Sequence, residues 1–189
     1  MHKAIRGDRN QRGFTMIELV VVISIIALLA IIAIPFARSM IIDGKVPTTA
    51  NDITRVAAKM RTNFANQGTT PYTSITTAGF ANTARGLASS LTISGTGTSS
   101  TVTHDIGSTG SSVSVASATI TTAGDAFSVT MPNVNEAACP SLAAQLSKSA
   151  EVIAINGTTV KAAGAAYAGA TAGGACTSGD ANTFVFTFR

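Results

Sequence analysis

Charged residues are scarce in this chain of 189 residues, where Asp, Glu, Lys and Arg together make up only 12% of the sequence. Histidine is scarcer still, since His2 and His104 are the only two, and the acidic residues are scattered singly. The chain therefore lacks a recognisable Ser–His–Asp or Cys–His combination, a pair of carboxylates for acid–base catalysis and a Cys/His spacing typical of zinc. These absences favour a structural role over an enzymatic one, and they predict neither a metal site nor a cofactor.

Positive charge is concentrated at one end of the sequence. The first 13 residues carry a net charge of +3 out of the total of +4, and their charged residues are Lys3, Arg6, Asp8, Arg9 and Arg12. Residues 14–189 are left with a net charge of +1, so they offer no basic stripe that could release counterions from nucleic-acid phosphates. We therefore predict no nucleic-acid binding. Basic residues that precede an apolar segment are instead typical of a membrane-topology signal.

An uncharged apolar run occupies residues 19–37, LVVVISIIALLAIIAIPFA. As a helix this run would be about 28 Å long, close to the hydrocarbon thickness of a bilayer. It is apolar on all sides, which predicts a membrane span with its basic end in the cytoplasm and the C-terminal part of the chain outside. A secretory signal peptide would have a shorter apolar region followed by its cleavage site, and the order here is different. A plain membrane anchor also fits this composition.

The carboxylate of Glu18 lies at the edge of the apolar run, where an unpaired charge in lipid costs about 3 kcal/mol. One explanation is that an acid in the first helical turn interacts favourably with the helix macrodipole. The other explanation is a cationic partner. Cleavage after Gly13 would create a new amine at Phe14, close enough in sequence to pair with Glu18 in the same subunit or in a neighbour. An incoming subunit without its partner would then be drawn to an assembly that supplies one.

The sequence around this carboxylate resembles the class III signal of type IV pilins and of type II secretion pseudopilins. The matching residues are the basic leader, Arg12-Gly13, the segment Phe14-Thr15-Met16-Ile17-Glu18-Leu19 and the apolar run. The resemblance implies that a prepilin peptidase cuts after Gly13 and methylates Phe14. It also implies an assembly role for Glu18 and a helix kink at Pro35. The rest of the chain is more loosely similar to type IVb pilins of the thin-pilus kind.

The same resemblance implies a set of partners and locations. The precursor would lie in the inner membrane with its N-terminus cytoplasmic and its head periplasmic, and it would contact the prepilin peptidase and the pilus assembly platform. Copies of the chain would then form an extracellular helical filament, a homo-oligomer. Adhesion, conjugation, DNA uptake and motility all fit one such scaffold. Two alternatives are a pseudopilin of a type II secretion machine and a membrane-anchored binding domain that does not polymerise.

The expected fold class is α+β, with a long N-terminal helix packed against an antiparallel sheet in a C-terminal head domain. We divide the chain into a leader, an apolar helix, an amphipathic continuation of that helix and a head: residues 1–13, 14–38, 39–66 and 67–189. The continuation has an apolar face at helical spacing formed by Ile53, Val56, Ala57, Met60 and Phe64. Gly44 and Pro47 are predicted to kink or break it.

Apolar and polar residues alternate in several later segments and predict strands. These segments are residues 113–115, 116–120, 127–131, 151–155, 158–161 and 183–188. Pro132 and Asn133 are predicted to end a strand, and Asn156-Gly157 is typical of a type I′ hairpin turn. Short helices are predicted over residues 82–89 and 140–149, and loops over residues 95–112 and 162–174. The first of these loops is rich in Gly, Ser and Thr but contains no lysine, so we do not predict that it binds phosphate.

The chain has two cysteines, Cys139 and Cys176. An even number of cysteines in an exported chain predicts a disulfide, because exported proteins fold under oxidising conditions. The alternative is a pair of unlinked buried thiols. A bond over this separation would stabilise the head by roughly 4 kcal/mol in the chain-entropy model.

Overall fold

The structure is a computed structural model that describes residues 13–108 and 111–189. The predicted leader, residues 1–13, lies outside this part of the chain except for Gly13. The described chain forms two compact units, one ending at Ala37 and the other beginning at Arg38.

The longest element is helix α1, Met16–Phe64. It continues through Pro35, and it also continues through Gly44 and Pro47, so the predicted break at the latter two residues is wrong. Pro47 cannot donate a backbone hydrogen bond to the carbonyl of Asp43, which normally destabilises a helix interior. Here Pro47 is exposed while its neighbours on the other side of the helix are buried in the core of the head. This packing holds the helix together where local propensity would end it.

The predicted apolar face of α1 is confirmed in the head. Ile53, Val56, Ala57 and Met60 are all at most 1% exposed, and Phe64 packs partly buried against the same core. These residues recur every three or four positions, so their side chains form one stripe along the helix. The stripe belongs to the core that α1 shares with the sheet.

The sheet of the head has seven strands in the described residues, in the order β1-β2-β3-β4-β7-β5-β6, and every neighbouring pair is antiparallel. The strands are β1 Leu91–Ser94, β2 Thr101–His104, β3 Ser112–Thr119, β4 Ala123–Val134, β5 Val152–Ile155, β6 Thr158–Lys161 and β7 Asn182–Phe188. A long helix packed on an antiparallel sheet confirms the predicted α+β class.

The last strand, β7, is inserted between β4 and β5 instead of lying at an edge. Phe184, Phe186 and Phe188 alternate along it and are all fully buried, as their spacing of two predicts. Phe188 stacks on Phe127 of β4 with ring centroids 5.5 Å apart. The C-terminal residues therefore complete the centre of the sheet.

Strand β4 is longer than predicted, because it passes through Pro132 and Asn133 and ends at Val134. Its register with β7 shifts between Met131 and Val134, and Asn133 has a φ of 57°. Proline is tolerated in a sheet at such an irregularity, because the missing N–H falls where the ladder is already interrupted. Gly107 forms a bridge to Val134 at this point, and a Cβ on that glycine would lie 1.8 Å from the Asn133 carbonyl oxygen.

Three shorter helices complete the described head: α2 Thr77–Ala84, α3 Cys139–Leu146 and α4 Gly169–Ala175. Helix α2 begins before the predicted segment 82–89 because Thr76 caps it, accepting a hydrogen bond from the Gly79 backbone N–H at 3.1 Å. Helix α3 begins with proline at its first turn, as predicted. The predicted loop 162–174 is wrong from Gly169 onward, where α4 forms around the buried Ala172.

The predicted loop 95–112 is also wrong in part, because it contains a 3₁₀ turn at Gly97–Ser99 and strand β2. Val102 of β2 is fully buried and pairs with Val113 of β3. One buried valine and a neighbouring strand are sufficient to recruit a weakly hydrophobic segment into the sheet. The predicted turn at Asn156-Gly157 is confirmed, with φ of 50° and 82° at the two residues between β5 and β6.

A buried carboxylate ties α1 to the segment before β1. Asp52 is 3% exposed, and its Oδ2 accepts hydrogen bonds from the backbone N–H groups and the hydroxyls of Ser89 and Ser90 at 2.8–3.4 Å. Burial alone would raise the pKa of Asp52, but the hydrogen bonds from Ser90 and Ser89 together hold that pKa below its ordinary value. Asp52 therefore remains ionised and anchors the chain where it enters the sheet.

Candidate functional site

The residues predicted for processing lie immediately before helix α1. Gly13 and Phe14 precede the helix, both are exposed, and the Phe14 side chain exposes 90% of its surface. A Cβ added to Gly13 would have nothing within 4 Å. Nothing in the described chain therefore requires glycine at this position, and a requirement for it would have to come from a partner.

The carboxylate of Glu18 closes the first turn of α1 together with Thr15. Oε2 of Glu18 accepts hydrogen bonds from the backbone N–H of Thr15 at 2.9 Å and from its hydroxyl at 2.8 Å. The Thr15 hydroxyl in turn accepts from the Glu18 backbone N–H at 3.3 Å. This reciprocal arrangement is a capping box, which satisfies backbone donors that the helix start leaves free.

Thr15 is a site residue that the sequence analysis missed. The signal was present, because Thr-x-x-Glu before an apolar run is the sequence pattern of a capping box. The capping box gives Glu18 a local role in the single chain. It also leaves the carboxylate exposed at the helix start, where its Oε1 and Oε2 atoms can accept a further hydrogen bond.

The first part of α1 presents apolar side chains on every side. The large apolar residues that are exposed in the described chain all lie between Phe14 and Ile41, and each exposes 49–90% of its surface. Ser24 is the polar exception inside the run, and its hydroxyl donates to the Val20 carbonyl at 2.8 Å. By length and composition this helix could cross a membrane, since its most apolar stretch has a mean hydropathy of 3.2 and is not buried by the other described residues. No other helix in the described residues passes that test.

The predicted disulfide is confirmed. Cys139, the first residue of α3, is bonded to Cys176, which directly follows α4, with an S–S distance of 1.99 Å and a Cα–Cα distance of 6.0 Å. Cys139 is fully buried. The bond fixes the small-residue segment around α4, which has little side-chain volume of its own, to the body of the head.

Three aspartates of the head form ion pairs with cations of the same chain. Within residues 13–108 and 111–189, no three His, Cys, Asp or Glu side chains lie close enough to hold a metal ion. The three ion pairs are Asp105 with Lys45 at 2.8 Å, Asp125 with Arg189 at 3.5 Å and Asp180 with Arg38 at 2.6 Å.

His104, which the sequence places in a loop, is the last residue of β2 and only 5% exposed. Its Nε2 lies 2.8 Å from the Pro132 carbonyl oxygen, to which the neutral ring donates, and its Nδ1 has no partner in the described chain. Burial lowers the pKa of His104, and the hydrogen bond to Pro132 and the charge of Asp105 offset this only in part. Protonation would place a second N–H in a buried position without an acceptor.

We expect this histidine to make the head sensitive to acid. The folded state disfavours protonated His104, so the unfolded chain binds the proton more readily below about pH 6.5. The free energy of unfolding should therefore fall as the pH drops below that value, by up to about 1.4 kcal/mol per pH unit. Urea unfolding at several pH values would measure the slope, and His104→Gln, which keeps an N–H donor, should flatten it. Equal slopes for the two proteins would contradict this explanation.

Helix α1 begins with an exposed apolar stretch, and its later part packs on the antiparallel sheet of a disulfide-bonded head. This architecture defines the pilin class of filament subunits. Residues 44–189 match the family model described as PilS N terminal, and residues 8–34 match the prokaryotic N-terminal methylation motif. The chain belongs to the PilS N-terminal family and is a type IV pilin.

Two solved structures share this fold. A type IVb pilin from Salmonella typhi is 24% identical, with a TM-score of 0.56 over 76% of this chain and 99% of that one. TcpA, a type IV pilin from Vibrio cholerae El Tor, is 14% identical, with a TM-score of 0.52 over 77% of this chain and 99% of that one. A comparison with curated protein sequences gave no match. The two structures support the architecture of the head and its helix.

Proposed function

We propose that this pilin is cut after Gly13, methylated on the new amine of Phe14 and polymerised through residues 14–38 into a surface filament. The observation that carries the proposal is the exposed apolar start of α1 preceded by an accessible glycine. A helix that is apolar on all sides needs either lipid or other apolar helices around it. Lipid would surround the precursor in the inner membrane, and helices of neighbouring copies would surround it in the filament.

Processing supplies the charge that assembly needs. The amine of Phe14 would appear one residue before the capping box, beside a carboxylate that is exposed in the single chain. In an apolar bundle, an ammonium and a carboxylate attract each other strongly because water does not screen them. Pairing of Glu18 with the amine of its own or a neighbouring subunit would fix the position of each helix along the axis of the bundle.

The proposed partners follow from these steps. They are the prepilin peptidase, the inner membrane, the pilus assembly platform and further copies of this chain. The basic residues of the leader favour a cytoplasmic N-terminus and hence a periplasmic head before export. Adhesion and conjugation are uses that we infer for the filament from its class. A type II secretion pseudopilin shares the signal, and electron microscopy of the cell surface separates the two, because only a pilus extends as a long fibre.

Mass spectrometry of sheared filaments tests the processing step. We expect an N-terminal peptide that begins with methylated Phe14. Gly13→Val should leave the precursor uncut, although a Cβ at this position meets nothing in the chain itself. Gly44→Ala is the matched control, since that glycine is equally open, and it should be processed normally. Filaments whose subunits still begin at Met1 would contradict the proposal.

A further inference from the structure

On one side of the head, α3 and the turn after it lie against α1, and we call this line of contact the seam. The hydroxyl of Ser141 donates to Asp43 at 3.1 Å near one end of the seam, and the hydroxyls of Thr54 and Ser149 lie 3.1 Å apart near the other. From Asp43 to Thr54 the rise along α1 is about 17 Å. Helix α3 and the turn that follows it, which contains Ser149, therefore contact α1 at two points along its axis.

Two shallow grooves lie in series along this seam. The first is lined by Ser39, Met40, Asp43, Ala137, Pro140 and Ser141. The second is lined by Ala50, Asn51, Thr54, Ala144, Gln145 and Lys148. The side chain of Met40 in the first groove exposes 63% of its surface.

The two grooves carry opposite charges. Asp43 lies in the first groove, and the exposed Glu136 directly precedes Ala137, which lines the same groove; Lys148 lies in the second groove. None of the three forms an ion pair with the described part of the chain. Most other acidic residues of the head do, as in the pairs Lys45–Asp105 and Arg38–Asp180. The seam is therefore acidic at one end and basic at the other.

We propose that this seam docks a second copy of the chain, with the acidic first groove of one subunit against the basic second groove of the next. The charges that the single chain leaves unpaired are complementary between copies shifted along α1. Contact between two different patches of identical chains repeats from subunit to subunit, and it builds an open filament when the rotation between subunits does not close into a ring.

The proposal rests on the proposed function in one respect. An antiparallel pair of heads would also bring Asp43 to Lys148, but helices that leave one membrane in the same direction are parallel. In parallel subunits, the first groove of a chain must therefore contact one neighbour and its second groove must contact another. The seam would then add a contact between heads to the contact that the apolar helices provide.

Crosslinking of assembled filaments tests the contact. Asp43→Cys and Lys148→Cys are combined in the full chain, and sheared filaments are treated with a bismaleimide about 10 Å long, because the Cα atoms of an ion pair lie too far apart for a disulfide. We expect a ladder of trimers and longer products on a denaturing gel. Asp43→Cys with Arg85→Cys is the control, since Arg85 is an exposed cation at the end of α2, away from the seam, and it should give far fewer products.

Charge reversal gives a second, independent measurement. Asp43→Lys and Lys148→Asp should each lower the amount of sheared filament about tenfold, since like charges would face each other. The double variant should recover most of it, while the membrane level of the chain stays unchanged. Filaments of the Asp43→Cys/Lys148→Cys variant that yield no ladder, products that stop at dimers, or a charge-reversed double variant as poor as the single ones would overturn the seam and leave the proposed function standing. Failure of the wild-type chain to form filaments would overturn both.

Discussion

Replacing Glu18 with valine is expected to leave the chain in the membrane but to lower the amount of assembled filament at least tenfold, roughly the effect of losing 1.4 kcal/mol per added subunit. The substitution keeps the helix apolar and removes the partner of the Phe14 amine, so membrane insertion should be unaffected or improved. Sheared filament and membrane-bound chain are measured on the same cells by quantitative immunoblotting.

Glu18→Gln separates the two roles of this carboxylate. The glutamine amide oxygen can still accept from the Thr15 backbone N–H, so the capping box survives while the charge is lost. If pairing with the amine drives assembly, glutamine should fail as valine does. If the capping box alone matters, glutamine should assemble normally, which would contradict the proposed pairing. Ser24→Ala is the matched control, because it removes another polar side chain from the same helix and should assemble like the wild type.

Loss of the disulfide is expected to give the largest change in the stability of the head. Cys139 and Cys176 are separated by 37 positions, and opening a loop of this length costs roughly 4 kcal/mol in the chain-entropy model. For a chain of this size, that corresponds to a fall in Tm of about 8–16 °C. The double variant Cys139→Ala/Cys176→Ala, purified in detergent, should show this shift in a thermal melt followed by circular dichroism.

Chemical reduction provides the control for this prediction. The wild-type protein in reductant loses the bond but keeps both sulfur atoms, so it should show most of the same shift. A shift in the variant without one in the reduced protein would assign the loss to the cavity left by the buried Cys139 side chain. A change of less than about 3 °C in both would contradict the role that we give to the bond.

Features of the fold that depend on local periodicity were predictable. The stripe from Ile53 to Met60 and the alternating phenylalanines of β7 each need one period along the chain, and both are buried as predicted. The hairpin turn at Asn156-Gly157 depends on two residues that readily adopt positive φ. Even so, the alternation in β7 did not show that this strand lies in the middle of the sheet, because strand order depends on contacts between distant segments.

Features that tertiary packing imposes on weak local signals were not predictable. Helix α1 continues through Pro47 because its buried side packs in the core of the head, and β2 forms because Val102 pairs with Val113. Asp52 lies outside the apolar stripe of the helix in the sequence pattern, yet it is buried with four hydrogen bonds from two serines far along the chain. Nothing in the spacing of residues around Asp52 identifies such partners.

The residues proposed to function in assembly also differ in whether the sequence alone could identify them. Residues 13–18 lie together in sequence, so the positions of Gly13, Phe14 and Glu18 at the helix start follow from their order. The capping box was equally local and could have been found from Thr15. The seam between α1 and α3 brings together charged residues that are far apart in sequence, so only the fold could identify it.

A density map of the assembled filament, detailed enough to place side chains at the start of α1, tests the central claim most directly. The account predicts subunits that begin at Phe14, with the amine of each within about 4 Å of a Glu18 carboxylate in its own or a neighbouring subunit. Subunits that retain residues 1–13, or a Glu18 carboxylate with no amine near it, would contradict the account.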